Sequence, residues 1–444
     1  MLADENFIDA NEVTNILFVY DRLDIIGGLE TRWMDEFQYL KKNNYQVSFL
    51  TPQQRFEPKI SELFSIHKFI INDIDIATNF IKLVNHIINT IHNEHIQVLS
   101  IHMLDTFGCA AVMAAQICQI PVISTIHGTP DIYRRPIERL FIQQLAGKSF
   151  SLSISVSQHL KSIFLTEAPL TTVIPNLINL GKYQYQPNNL KSAWLVVNRI
   201  SPEKYPSILR FLQAANDCKI TTVDIAGGGK CAELRKCIDS LNIELQVNFL
   251  GEIKDIATLI PKYAGVAGMG RVALEGLACH KPVCIVTPEG NLIGLVTINN
   301  LQSLKNYNFI GKGLVSIDNE TFFAQLEAYK SEDSQDIYQQ LKLELSSDNW
   351  DKYIQLYKKV SFIDNKALEA FYHKLAYFAN TLSVPFMHDD FFRHLFCETL
   401  IEYELNDIQK MWHYYEESIG LMANYPNPYN VSTKSKRWWK NMFK

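Results

Sequence analysis

The residues with chemistry to offer fall into two clusters between residues 198 and 283 of the 444-residue chain. The first is Gly268-Met-Gly270-Arg271-Val-Ala-Leu-Glu275, which runs on through Gly-Leu-Ala-Cys-His-Lys-Pro-Val283. Gly268 and Gly270 lack a Cβ, so their amides can approach a ligand oxygen, and the start of the following helix favours negative charge. Glu275 falls about one turn into that helix among apolar and small neighbours, where a carboxylate suits a pair of sugar hydroxyls. The same residues also suit a glycine turn capping an ordinary βα unit with a solvent-facing glutamate. The second cluster is Asn198-Arg199-Ile-Ser-Pro-Glu203-Lys204. It puts a planar guanidinium and a movable ammonium on one corner between loop and helix, a pair suited to holding a diphosphate whose charge grows as a bond to it breaks. A surface turn in which Glu203 neutralises the two cations is the alternative.

The surrounding pattern must position these clusters. Asn15–Tyr20 is a short apolar run, Gly27 and Gly28 follow it, and a periodic segment runs from Leu29 to Lys42. Val47–Thr51 then reads as the next strand, so the chain opens as a βαβ unit. Residues 96–100 and 121–126 are further strands. The apolar stretch from Phe107 to Ile126 is broken by Gln116, Gln119 and Pro121 into a helix and a strand and is not read as a membrane span. His102 and His127 follow strand ends, the rim where open α/β sheets take ligands. Ser153–Ser157 reads as a sheet-edge strand. Thr222–Ala226 ends in Gly227, Gly228 and Gly229. This triple glycine lacks the Gly-x-Gly-x-x-Gly spacing of a dinucleotide loop and instead permits close approach to a nucleotide. Alternating strands and helices indicate parallel α/β sheets. From about Asn319 the pattern turns to long helical periodicity, with Leu368, Phe371, Leu375 and Phe378 on one face.

Composition narrows the function classes. With 47% hydrophobic and 20% charged residues, the chain reads as globular with two or three domains. A net charge of -5 gives no general attraction to nucleic acid. Eight cysteines without a Cys-x-x-Cys pair fit reduced thiols in a cytoplasm. Asp73 and Asp75 precede a helix and read as caps, so no metal site is assigned. The terminal 434–444 segment mixes lysines and arginine with Trp438, Trp439 and Phe443, which suits an anionic membrane surface at the inner face or a partner groove.

Together these segments resemble the retaining glycosyltransferases of family 4, which have the GT-B fold of two facing Rossmann-like domains. Glu275-Gly-Leu-Ala-Cys-His-Lys-Pro-Val is similar to the family's second conserved glutamate segment, Arg199 and Lys204 match its Arg…Lys element, and Gly27-Gly-Leu-Glu30 matches its Gly-Gly-x-Glu loop. Thr125-Ile-His127-Gly128 looks like its strand-end histidine, and Val173-Ile-Pro-Asn176 like its interdomain linker. Two departures stand out. Ala267 occupies the position of the family's first glutamate, and Leu177 replaces a glycine. Asn308-Phe-Ile-Gly-Lys312-Gly313 resembles an element of relatives with a Gly-x-Gly-Arg variant, where Arg271 and Lys312 would supply charge.

The resemblance implies a first domain over residues 1–185, a nucleotide-sugar domain over 186–318, and a helical extension over 319–444 that partly crosses back. It implies transfer of a sugar from a nucleoside diphosphate sugar, the donor substrate, to a hydroxyl of a glycan, glycolipid or protein, with no separate cofactor. Arg199 and Lys204 would hold the diphosphate, Glu275 the ribose, and His127 the sugar. The loops at Gly27, Gly28, Gly228, Gly268, Gly270 and Arg271 would lie along the donor. Two alternatives share the architecture: a nucleotide-sugar epimerase, for which Asp105 and Asp131 are the placeable acid/base carboxylates, and a partner subunit without catalysis.

Overall fold

The computed structural model describes residues 14–20, 27–52, 65–69, 77–102, 106–128, 145–163, 168–186, 192–253, 255–379 and Thr399. Residues 73, 75, 105, 131 and 434–444 lie outside the described residues.

Two sheets organise the described chain. The first contains β1 (Asn15–Val19), β2 (Gln46–Pro52), β3 (Ser65–Phe69), β4 (Val98–Ile101), β5 (Val122–Ile126), β6 (Phe150–Ser155) and β7 (Leu170–Val173). Their order is β3, β2, β1, β4, β5, β6, β7, and every pairing is parallel. Helices cover both faces, which is why β4, β5 and β6 are buried along their whole length rather than alternately. Phe80, Leu83, Ile87, Leu368 and Phe371 pack on one face, and Trp33, Phe37, Trp350 and Tyr357 on the other. The Thr106–Cys118 helix is buried on nearly every side, as its even apolar composition requires. The 150–155 strand is interior, not at the sheet edge, because β7 pairs along its outer side.

The second sheet contains β8 (Trp194–Val197), β9 (Thr222–Ala226), β10 (Gln246–Gly251), β11 (Gly265–Ala267), β12 (Val283–Val286) and β13 (Leu292–Leu295). The order is β10, β9, β8, β11, β12, β13, parallel except for β13, which returns antiparallel to β12. Phe322 and Leu326 of the Asn319–Ala328 helix lie in one of its cores, and Ile337 and Leu341 of the Ser331–Glu344 helix in the other. The boundary expected at 318 therefore shifts. The helices over 319–344 complete the second domain, and those over 350–379 pack on the first.

The chain passes between the domains twice, and the two passages hold each other. Ile178 donates to the Leu345 carbonyl at 2.8 Å, and Ser347 donates to the Ile178 carbonyl at 2.9 Å. No helix among the described residues is long and apolar enough to cross a membrane.

Both sheets reverse their winding once, the first between β1 and β4 and the second between β8 and β11. Such switch points open a crevice beyond the strand ends where ligands bind. At the second, β11 must pass close to Trp194. A Cβ on Gly265 would lie 2.5 Å from the Trp194 ring, which is wholly buried. Gly265→Ala is expected to cost about 1–3 kcal/mol by overpacking, seen as a lower urea midpoint in circular dichroism, whereas Gly128→Ala, whose new methyl meets no atom within 4 Å, should not shift it by overpacking.

Candidate active site

The sequence clusters fall at these switch points. Arg199 follows β8, Gly268 follows β11, the Gly27 loop follows β1 by a few residues, and His102 follows β4.

At the β8 end, three strand-end loops are joined by backbone hydrogen bonds. Asn198 donates to Ala226 O at 3.0 Å, Ile200 to Gly228 O at 2.9 Å, and Gly227 to Gly251 O at 2.8 Å. This fixes why glycines stand at 227 and 229. A Cβ there would lie 1.8 Å from the Asn198 carbonyl oxygen and 2.0 Å from that of Ile200. Those two glycines serve loop-to-loop packing, while Gly228 between them faces Glu252 at ordinary contact distance. On this rigid corner Arg199 is exposed and Lys204 half-buried. Glu203 does not neutralise them through an ion pair. Its carboxylate accepts the Ser201 hydroxyl at 2.5 Å, and that bond, ahead of the nearby cations, lowers its pKa.

The amides expected to reach a ligand are partly committed elsewhere. Gly27 donates to Glu30 Oε2 at 2.8 Å, Gly268 to Cys284 O at 3.2 Å, and Gly270 to Phe309 O at 3.2 Å. Gly268 is required by Val272, whose Cγ1 would lie 2.4 Å from a Cβ, and Gly270 has φ +58 at the start of the Arg271–Ala278 helix. Gly28 begins the Gly28–Lys42 helix and meets the other domain, where an added Cβ would lie 3.3 Å from Arg271 Cβ.

Arg271 is where the domains join. Its Nη2 donates to Asp35 Oδ2 at 2.7 Å, its Nη1 to the Leu177 carbonyl at 3.2 Å, and its Nε to Glu275 Oε1 at 3.3 Å. Lys182 reaches the other Asp35 oxygen at 3.1 Å, and Tyr183 donates to Glu275 Oε1 at 3.2 Å. Burial opposes the guanidinium charge, and Asp35 and Glu275 more than restore it. Burial also raises the Glu275 carboxyl, with Arg271 pulling it back. Burial and Glu275 together push the Tyr183 phenol far up, so it remains a donor. Arg271 and Glu275 are thus paired with each other and with the first domain.

In that domain His127 and His102 form one unit. His102 Nδ1 and His127 Nε2 are 2.9 Å apart, and His102 Nε2 lies 3.2 Å from Ser100 Oγ. The His102 ring stacks on Phe18 with centroids 4.9 Å apart. Burial, then the Arg32 guanidinium, holds both imidazoles well below their usual pKa. Arg32 is itself fully buried and ion-paired with Glu36 at 2.8 Å. Sequence reasoning missed Asp35, Tyr183 and Arg32 and gave His102 no role beyond its place at a strand end. The spacing of Arg32 and Glu36, four apart on one helix, was a readable sign of a pair. Nothing local marks Asp35, whose partner lies 236 residues away. Among the described residues no group of three or more His, Cys, Asp or Glu is arranged to hold a metal ion.

Two predictions follow from these contacts. Asp35→Ala takes from the buried Arg271 guanidinium its shorter ion pair, leaving only Glu275, and is expected to cost about 3–5 kcal/mol in urea unfolding, more than Asp35→Asn, which keeps an acceptor there. The histidines give a pH signature. Their folded pKa lies below the ordinary 6.5, so the unfolded chain takes up protons that the folded one resists. Their contribution is fully present above that value and lost as pH falls below it. The urea midpoint should therefore fall more steeply from about pH 7 to about pH 5 in the wild type than in a His102→Asn/His127→Asn variant.

Comparison with known proteins identifies this architecture. The Glycosyltransferase Family 4 profile matches residues 26–182. A glycosyltransferase from Rickettsia africae ESF-5 superposes with a TM-score of 0.57 at 16% identity, over 78% of this chain and 98% of that one. An α-glucosyltransferase solved in complex with UDP gives 0.51 at 12% identity, over 77% and 99%. A putative UDP-N-acetylglucosamine 2-epimerase from Listeria monocytogenes also gives 0.51 at 12%, over 77% and 95%. No curated protein matches by sequence. At these identities the structural likeness speaks for the fold. The chain has the two-sheet GT-B architecture, and its residues 26–182, about a third of its length, match the Glycosyltransferase Family 4 profile.

Proposed function

We propose that the protein transfers a hexosyl group from a nucleoside diphosphate sugar to an acceptor hydroxyl, with retention and with no metal or cofactor beyond the donor. The observation that carries this reading is the pair Arg199 and Lys204. They are cations without an ion-pair partner among the described residues, on a corner fixed by three hydrogen-bonded loops at a switch point. Held cations of this kind stabilise a departing diphosphate without reorganising. The bond from the anomeric carbon to the phosphate oxygen breaks, and its electron pair leaves with the diphosphate. The acceptor oxygen bonds to the anomeric carbon on the same face, and the acceptor proton passes to the leaving phosphate. In this reading the His102–His127 unit positions the sugar, and Glu275 grips the ribose once Tyr183 yields its hydrogen bond. The acceptor is a glycan, glycolipid or protein, and the setting is surface polysaccharide or glycoconjugate synthesis in the cytoplasm or at the inner membrane face. A related fold has been solved with UDP, which makes UDP the first nucleotide to test.

One observation favours a second reading, a partner subunit that has lost catalysis: Glu275 is already engaged by Arg271 and Tyr183. Calorimetric titration with UDP and nucleotide release from a panel of nucleotide sugars, with and without acceptor extract, separate the two. The transferase reading expects UDP binding weakened about tenfold or more by Arg199→Ala, and acceptor-dependent release by wild type that Arg199→Ala and Lys204→Ala lose. Binding without release would favour the subunit, and sugar interconversion without acceptor the epimerase.

A further inference from the structure

Beside the hinge, the two domains line a half-open crevice of about 340 Å³ that the donor reading leaves unused. It is lined by Gln158 and Asn176 from the first domain and linker, and by Gln302 and Asn308 from the second, with Leu274 and Phe309 as apolar wall. Side-chain amides dominate the polar lining. An amide both donates and accepts, which is also the property of a sugar hydroxyl, and an adjacent apolar wall suits the C–H face of a sugar ring. Charge is sparse. Lys305 is ion-paired with Glu344, which leaves Lys352 as the net charge of the lining.

Asn176 points to a ligand in its own right. It is 9% exposed, and its Nδ2 donates to Asn308 Oδ1 at 2.9 Å, yet its Oδ1 has no hydrogen-bond partner. A buried carbonyl left unpaired costs about 1–3 kcal/mol. If both amides are turned over, the same contact survives and the orphan becomes an N–H. A hydroxyl satisfies it either way. The wall beyond is built at a cost as well, since Asn308 and Phe309 are consecutive non-glycine residues with φ +51 and +56. Phe309 there is a true departure from normal backbone preference. Its carbonyl accepts the Gly270 amide, so the crevice shares this segment with the loop that opens the Arg271–Ala278 helix.

We propose that the hinge crevice is a carbohydrate-binding site, which takes an uncharged sugar ring whose hydroxyls pair with the Asn176, Asn308 and Gln158 amides. Nothing in it depends on the diphosphate cations, so it stands apart from the donor reading. The test is saturation-transfer NMR on the full chain with UDP present throughout. The probes are glucose, galactose and N-acetylglucosamine and the methyl glycoside of each. At least one probe is expected to receive saturation. Gln302→Trp, placed on an exposed helix surface at the crevice, and Asn176→Leu, which removes the orphan amide, should each weaken that probe's affinity about tenfold or more. Circular dichroism checks the fold of both variants, and either one suffices. A signal from a methyl glycoside marks the ring as part of a longer glycan, and a signal from free sugars alone marks a monosaccharide site. Saturation of none of the six probes, or a signal undiminished in the folded variants, overturns the proposal. UDP titration of the same samples tests the donor reading separately.

Discussion

The Arg271–Asp35 ion pair is the contact on which the relation of the two domains rests. Its side chains are 5% and 7% exposed, so both ions have given up most of their hydration for a 2.7 Å contact and the few polar partners around it. Buried pairs of this kind seldom add net stability over apolar packing of the same shape. Their value here is registry. One guanidinium reaches the first helix of the first domain, the Leu177 carbonyl of the linker, and Glu275 of its own helix. Gly28 lets Arg271 come this close, because a side chain there would press on the Arg271 stem. The two switch points are thereby held at fixed separation by a residue that belongs to one of them.

This joint divides the charges between two duties. Arg271 and Lys182 face Asp35 and Glu275, a balanced group with no charge left for a ligand. Arg199 and Lys204 stand outside it on the β8 corner. The cations that join the domains are ion-paired, whereas Arg199 and Lys204 have no ion-pair partner among the described residues. Glu275 sits at the boundary of the two duties. Its Oε1 takes both the Arg271 Nε and the Tyr183 hydroxyl, so this carboxylate ties its own helix to the linker.

Parallel sheets made much of this legible beforehand. Strands buried on both faces leave mainly apolar runs, and β1, β4, β5, β8 and β12 are such runs, with His102 after β4, Pro121 and His127 flanking β5, and Pro282 before β12. Short or marginal strands left weaker traces. β3 is Ser-Ile-His-Lys-Phe at a sheet edge with only its last residue buried, β7 is half-buried at the opposite edge, and β13 is four residues returning after a turn. The Arg199 corner was legible as a strand-end turn because its residues are local in sequence. Partnerships were not. Asp35 and Arg271 meet only after the domains dock, and the reason for Gly227 and Gly229, a neighbouring loop's carbonyls, appears only once β8 and β9 are paired.

The histidine pair shows how such a partnership changes the meaning of a residue. Taken alone, His127 is an imidazole at a strand end, able to titrate near neutrality. Joined to His102, with both rings held neutral, it shares one hydrogen bond in which one nitrogen must donate and the other accept. If the Ser100 hydroxyl donates to His102 Nε2, then His102 Nδ1 carries the proton toward His127, and the remaining His127 nitrogen is itself a donor. If His102 Nε2 donates to Ser100, the order reverses and His127 offers an acceptor. The character of His127 is therefore set by a hydroxyl two bonds up the chain of contacts. Phe18 keeps the intermediate ring in place, and Arg32 discourages either ring from taking a second proton. A group built this way answers to the hydrogen-bonding sense of what lies against it rather than to protonation of its rings.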